Sequence, residues 1–572
     1  MPEFNPNTFH GRKGIISQIA AKISVGSELS AEDLGGLKQF LSGGASSQLP
    51  SLDKDFVKRQ IDGIQIVHHI GMVQNMLDPE FYVSSLNGRS LHFRDCNPTP
   101  NAASDDTIED LSNLAERQPL FVVPIPFTTD WFKECSVAKE THIDERSKTA
   151  EPITASTPRK RERETDHSKN SKHRSEEAEN IDRMNDSDVS AQEECPKRSV
   201  EWWPAGCKGS DASSSPILAK FYYDQYSQDD KKCTSLRLND IVETIGVLSM
   251  NPWEADFSTP GSNFEFDSPP PPPSQLPRLH VLAYRTIELD ALSYEKVLTF
   301  TETTPRIMRS ALDSGLKRSL AAQAIFLTML SKAERRDGLI HRMSASAVGC
   351  ASLKVSTTMC SKEMFRRLKS VLHQSCPIVA AFDLTSSKEQ HPFPGKSNGN
   401  IAPTSWQLPA GSTLLLHLGD SKHEGLEELL TSHQVAYTFE GGVQIQFEAD
   451  FRIVIVSNNK KVKCSLQVCC DEEDLSLLEG EERRLRETLA LCRRVGNVKL
   501  SPEVLERAQG DFLSQRSSAR SNPKSRMPDE DDFHRWLCLT RLQARSRGCE
   551  IATTEDWEKA FALDDGIWNS RN

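Results

Sequence analysis

Gly419-Asp420-Ser421 closes a short apolar run, Leu414–Leu418, and Asp531, Asp532 and His534 supply an acid and a base further along the chain. A serine at a strand-to-loop corner with aspartate and histidine in reserve is the raw material of a nucleophilic hydrolase. The motif is three residues long, and no block of glycine and asparagine offers an oxyanion hole, so a GDS-type serine hydrolase is a subsidiary alternative. His417 and His423 flank the corner with no carboxylate at a metal-binding spacing. Gly395-Lys396-Ser397 is similar to the end of a phosphate-binding loop. The first glycine of that motif is replaced by Gln390, and Pro392 and Pro394 have no N–H to give a phosphate. The reading there is an exposed polar loop. The 14 cysteines include no C-x-x-C pair, which argues against a zinc site and for reduced thiols. No catalytic, cofactor-binding or metal-binding residue is expected.

Two further motifs concern traffic and regulation. Arg159, Lys160, Arg161 and Arg163 form a basic cluster of the kind an import receptor reads. Thr157-Pro158-Arg159-Lys160 suits a proline-directed kinase, and a phosphate on Thr157 would set about two negative charges beside those arginines. The cluster sits in a stretch, Ser136–Val200, with no Phe, Trp, Tyr or Leu. Such a segment buries too little apolar surface to offset the entropy of ordering it. It is expected to be a disordered charged insertion over 136–216. The polyproline run ending at Pro273 is expected to be an exposed loop.

The elements that would position any site follow from the apolar pattern. Ile15, Ile16, Ile19, Ala20 and Ile23 recur at helical spacing, and Ser30-Ala-Glu-Asp33 is a capping box with Asp in the Glu slot. Residues 1–60 are thus an N-terminal helical segment. Ile64–Val73, Leu91–Phe93 and Phe121–Ile125 predict short strands in 61–135, and Ile217–Tyr223, Leu238–Leu248 and Leu279–Ala283 predict more in 217–300. Neither half has enough strands to close alone, so one OB-like barrel interrupted by the insertion is expected. Gly246 should relieve a tight bend. Residues 301–572 alternate: a helix over Ile307–Arg335, strands at Ile378–Phe382, Thr413–Leu418 and Arg452–Val456, then helices from Asp532, the last capped at Thr553. The fold class is multidomain α/β plus β. At 572 residues and a net charge of −12, with 37% hydrophobic and 26% charged residues, the chain is polar and acidic. That balance opposes a nucleic-acid-coating protein. No run of eighteen apolar residues offers a membrane span, and the first residues have no secretory apolar stretch.

Four stretches carry a resemblance. Gly71-Met-Val-Gln-Asn-Met-Leu-Asp-Pro-Glu-Phe-Tyr82, Glu116–Pro126 with Trp131, Leu238–Ser249 and Pro277–Leu282 occur in the order of the minichromosome maintenance (MCM) complex-binding protein family. The C-terminal half resembles it more loosely. The resemblance implies a nuclear partner of MCM helicase subunits, tied to DNA replication, the cell cycle and mitosis, acting in helicase assembly, chaperoning or unloading from chromatin and in sister-chromatid cohesion. It also implies a degenerate AAA+-like domain after the barrel, with a helical C-terminal lid. Val435–Phe439 and Ile445–Phe447 would form the hairpin before a sensor strand, Arg452–Asn459. An active ATPase would need a phosphate loop and a metal-holding acidic pair, and that second slot reads Leu416-His417-Leu418. The expectation is a protein that is not an enzyme. A second class of function is single-strand nucleic-acid binding, for which Phe81, Tyr82, Tyr222 and Tyr223 are the stacking candidates.

Overall fold

The computed structural model describes residues 9–42, 49–52, 65–86, 89–90, 114–133, 216–222, 236–249, 276–298, 319–332, 352–385, 406–419, 425–438, 444–476, 478–479, 481–521 and 526–571. The chain is mixed α/β. Helices α1 (Phe9–Val25) and α2 (Ala31–Ser42) come first. The expected capping box is present: Asp33 N donates to Ser30 Oγ at 3.2 Å, and Ser30 N donates back to Asp33 Oδ2 at 2.8 Å.

A six-stranded sheet follows, made of β1 (Gln65–Met76), β2 (Glu80–Val83), β3 (Leu114–Val123), β4 (Ile217–Tyr222), β5 (Ile241–Ser249) and β6 (Arg278–Ile287). The order is β1-β5-β6-β4-β3, and β3 pairs back onto β1, closing a five-stranded barrel with β2 appended to β3. Only β4 and β6 run parallel, with Leu218 opposite Arg278. Strands from both sides of residues 134–215 therefore build one barrel; those residues lie outside the described set. Alternation sorts the side chains into two cores. Val67, Leu120, Ile217, Val242 and Val281 face one. Ile66, Tyr82, Tyr222 and Ile245 face the other, which Ile19, Ile23 and Leu37 of the helices complete. Each fully buried aliphatic side chain contributes about 1.5–3 kcal/mol, which is why two short helices stay docked.

Gly246 lies at a bulge in the β5–β6 register, where a Cβ would stand 2.5 Å from the His280 carbonyl oxygen. The tight place expected from the sequence is there. Strand β3 is longer than its apolar run suggested and begins at Leu114. Its extra residues are held by pairing with β2, where Arg117 Nε meets Glu80 Oε1 at 2.7 Å.

Helix α3 (Leu289–Leu298) leaves β6 directly, and α4 (Leu320–Leu330) follows. The helix expected over Ile307–Arg335 is corrected here. Ser319 is extended and caps α4 by accepting from Ala322 N, and Ser331 ends it in the extended region. Then come β7 (Ser352–Thr357), α5 (Ser361–Ser375), β8 (Val379–Asp383), β9 (Thr413–His417), α6 (Leu426–Ser432), the antiparallel hairpin β10 (Gln434–Thr438) and β11 (Gln444–Glu448), β12 (Arg452–Val456) and β13 (Leu466–Cys470). Strands β8-β9-β12-β7-β13 form one parallel sheet in that order. Its central strands are buried along their length, as parallel sheets covered on both faces must be.

Helices α7 (Glu482–Arg493), α8 (Pro502–Ser521), α9 (Glu530–Ser546) and α10 (Thr554–Arg571) close the chain. Asp529 and Asp532 form a capping box on α9, and Asp556 accepts from Thr553 N at 2.9 Å to start α10. Trp536, Trp557, Val504 and Ala508 are buried between these helices, with Trp536 Nε1 donating to Asp564 at 2.7 Å.

Barrel and sheet are joined by named contacts. Asp290 of α3 accepts two bonds from Arg452 Nη2, at 3.0 and 2.8 Å, and lies 3.9 Å from Arg493 Nε. Beyond β3, Thr128 bridges Ile378, Thr129 N donates to Pro377 O at 3.0 Å, and Trp131 Nε1 donates to Cys376 O at 3.2 Å.

Candidate functional site at the carboxyl edge of the parallel sheet

In open parallel sheets the strands' carboxyl ends and the helix N-termini that follow converge on one edge, where ligands and chemistry concentrate. Three side chains meet there. Asp383 ends β8, His417 ends β9, and the two are register partners in the sheet. Ser361 opens α5, immediately after the Thr358-Met359-Cys360 turn that leaves β7. His417 Nδ1 lies 2.9 Å from Asp383 Oδ1, and His417 Nε2 lies 3.0 Å from Ser361 Oγ. The imidazole is buried, 4% exposed, and stacks on Phe365 with ring centres 5.5 Å apart.

Hydrogen-bond logic fixes the roles. Burial alone would raise the Asp383 carboxyl, but Thr385 donates to it twice and His417 faces it, so it is held below its ordinary value. An ionised carboxylate only accepts, so His417 Nδ1 carries the proton it donates. In the neutral ring Nε2 is then an acceptor, and the Ser361 hydroxyl donates to it. The order along this relay is Ser–His–Asp.

The neighbouring groups close on one another. An AAA+-type ATPase carries its phosphate loop between its first sheet strand and the next helix. In this chain the turn between β7 and α5 is three residues, Thr358–Cys360. Asn458, just past β12, accepts from Thr357 N at 3.0 Å and donates to Thr357 O at 3.2 Å. The asparagine after β12 thus clasps the backbone where β7 ends. Among the described residues no group of three or more His, Cys, Asp and Glu could hold a metal ion.

The sequence-derived candidates fare unevenly. Thr157, Arg159, Lys160, Arg161 and Arg163 lie outside the described residues, as do Gly395-Lys396-Ser397, Ser421 and Tyr223. The partners assigned to Ser421 are engaged elsewhere: His534 Nε2 is 3.3 Å from Glu530 Oε1, and Asp532 caps α9 and binds Arg526 and Arg535. Of the stacking aromatics, Tyr82 and Tyr222 are buried, 6% and 1% exposed, and meet edge to face with ring centres 5.1 Å apart. They hold the helices to the barrel and cannot take a base; Phe81 is exposed. Sequence reasoning missed Ser361 and Asp383 altogether. The one available signal was an aspartate ending an apolar run, Val379–Asp383, 34 residues before His417.

Comparison with known proteins then bears on the whole chain. The family described as Mini-chromosome maintenance replisome factor matches residues 37–567. The chain belongs to that family. Proteins named Mini-chromosome maintenance complex-binding protein are similar over nearly the full length. That of Arabidopsis thaliana is 25% identical, covering 95% of this chain and 93% of its own length. That of Gallus gallus is 23% identical, covering 91% and 90%. That of Homo sapiens is 23% identical, covering 86% of each. Membership supports a role as an MCM-associated factor. The stretches that carry the family resemblance are the barrel's own strands: Gly71–Tyr82 spans the end of β1 through β2, and the other three fall on β3, β5 and β6. Gly71 is a packing requirement there, since a Cβ would stand 2.7 Å from the Val123 carbonyl oxygen.

Proposed function

We propose that the chain binds subunits of the MCM replicative helicase in the nucleus and acts by occupying their surfaces, with no ATP-driven engine of its own. The observation that carries this reading is the family match across residues 37–567, whose relatives are named for binding the MCM complex. The topology supports the architecture inferred with it. The closed five-stranded barrel, ordered first-second-third-fifth-fourth with the third and fifth strands parallel, fits the OB-like reading. The parallel sheet runs second-third-fourth-first-fifth, with the hairpin β10–β11 ahead of β12, which fits the AAA+-like reading. On that reading the engine's parts are replaced: a three-residue turn for the phosphate loop, and His417 where a metal-holding carboxylate would stand.

A helicase-like body without fuel chemistry keeps the surfaces by which ring subunits recognise one another. Bound to one subunit, it would hold a neighbour's place, shielding apolar interface or loosening a ring, which fits chaperoning, assembly or unloading, and through them cohesion. The basic cluster Arg159, Lys160, Arg161 and Arg163 would bring it to the nucleus through an import receptor, with Thr157 as the modifiable residue, and chromatin would be reached only through the helicase. The test is co-purification of the tagged full chain from nuclear extract, paired with MgATP titration of the purified protein. Recovery of MCM subunits with no ATP turnover is expected. Failure to recover any subunit, or magnesium-dependent turnover, refutes the reading.

A further inference from the structure

We propose that Ser361 is an activated nucleophile that accepts acyl groups from ester or thioester substrates, with His417 as its base and Asp383 holding the imidazole. Three independent features point this way. The two hydrogen bonds, 3.0 Å from Ser361 Oγ to His417 Nε2 and 2.9 Å from His417 Nδ1 to Asp383 Oδ1, are at the reach such a relay requires. The serine stands at a strand-to-helix corner on the carboxyl edge of a parallel sheet, with the acid and then the histidine following it in the chain, the order and placement α/β hydrolases use. And Ser361 is half-buried while His417 is buried against Phe365, so the base is shielded and the serine keeps some exposure. Unlike a glycine-flanked elbow, this corner keeps negative φ throughout.

The chemistry balances. Ser361 Oγ forms a bond to the substrate's carbonyl carbon while His417 Nε2 takes the hydroxyl proton. The carbonyl oxygen gains the negative charge. The helix α5 offers it the positive end of its dipole and first-turn N–H groups, such as that of Lys362, that have no intrahelical acceptor. Collapse breaks the bond to the alkoxide or thiolate, which leaves with the proton from His417. Water repeats the sequence on the acyl-serine, releasing the carboxylic acid and restoring Ser361. Asp383 is a positioning residue, because it acts only through His417.

The experiment uses the intact chain and a fluorophosphonate probe, which phosphonylates activated serines with loss of fluoride. One adduct on Ser361 is expected by intact mass and peptide mapping, forming at least about 100-fold faster than on the same chain in denaturant, the lower end of general-base assistance. Ser361→Ala should lose the adduct, and Asp383→Asn should slow it by about 100-fold or more at a temperature where circular dichroism shows the variant folded. Turnover of p-nitrophenyl acetate should fall in parallel. A native chain labelled no faster than the denatured one overturns the proposal, and so does labelling that Asp383→Asn leaves unchanged. Either result would mean the three side chains only tie α5 to the sheet. The wild-type comparison stands even if a variant fails to fold, and neither result bears on helicase binding.

Discussion

Replacing Asp290 by asparagine keeps the shape of the side chain and removes its charge from between two buried guanidinium groups. Arg452 and Arg493 are 1% and 7% exposed, so neither recovers its hydration when the carboxylate goes. Breaking a buried pair costs roughly 3–5 kcal/mol. The lower end applies here, because the Asp290 side chain is 20% exposed and water can partly substitute. Arg452 also keeps its bonds to Ser331 O and Gly411 O, and Arg493 keeps Met329 O. About 3 kcal/mol corresponds to a midpoint lower by roughly 6–12 °C if the sheet unfolds as a cooperative unit of about 150–250 residues. Tryptophan fluorescence during a thermal scan reads it, since Trp406, Trp536 and Trp557 are buried on that side of the chain. The pH dependence gives a second reading. Burial would raise the Asp290 carboxyl, but Arg452 and Arg493 outweigh burial and hold it below its ordinary value. A depressed carboxylate stabilises fully above the unfolded value near pH 4, and that contribution is lost as pH falls through the folded value. The gap between wild type and Asp290→Asn should therefore be constant from pH 8 to 5 and shrink below about pH 4. A midpoint within about 2 °C of wild type at pH 7 would refute the claim that this carboxylate fastens barrel to sheet.

Two further outcomes are expected. His69 is fully buried in the barrel, and burial together with the neighbouring His68 pushes its pKa down to about 3. The folded protein keeps it neutral while the unfolded chain protonates it below about pH 6.5. Stability should therefore fall as pH drops below that value, by roughly 1.4 kcal/mol per unit, and urea titrations of His69→Leu should lack this share of the slope. Gly246→Ala puts a methyl group against the β6 backbone and should cost about 1–3 kcal/mol as overpacking does; an unchanged urea midpoint would mean the bulge relaxes freely.

Local rules made some elements legible and hid others. Gly246 is legible as a bend, but its cause, the His280 carbonyl across the sheet, is not. The Ser30 capping box is readable because it is fixed by neighbours in sequence, and the strand Arg452–Val456 because Ile453–Val456 is an unbroken apolar run. Strands β7 and β13 were not, since Ser352-Leu-Lys-Val-Ser-Thr and Leu466-Gln-Val-Cys-Cys mix polar and apolar residues and gain their place only from partners about a hundred residues away. The relay fails for the same reason. Asp383 and His417 become register partners only once β8 and β9 lie side by side, and Ser361 reaches them from a strand two positions across the sheet. His534 and Asp532, the partners read for Ser421, are engaged at the start of α9 with Glu530 and Asp529.

Strand β8 is the border of the parallel sheet, and the segment after β3 lies against it: Val379 N donates to Phe127 O at 3.1 Å, beside the Thr128–Ile378 bridge. A sheet border left bare recruits other chains. The segment leaving the barrel therefore covers the start of that border, and cutting the chain between barrel and sheet would uncover it. A fragment beginning after the barrel would carry a raw margin at β8 and should clump unless a substitute for residues 127–132 is supplied.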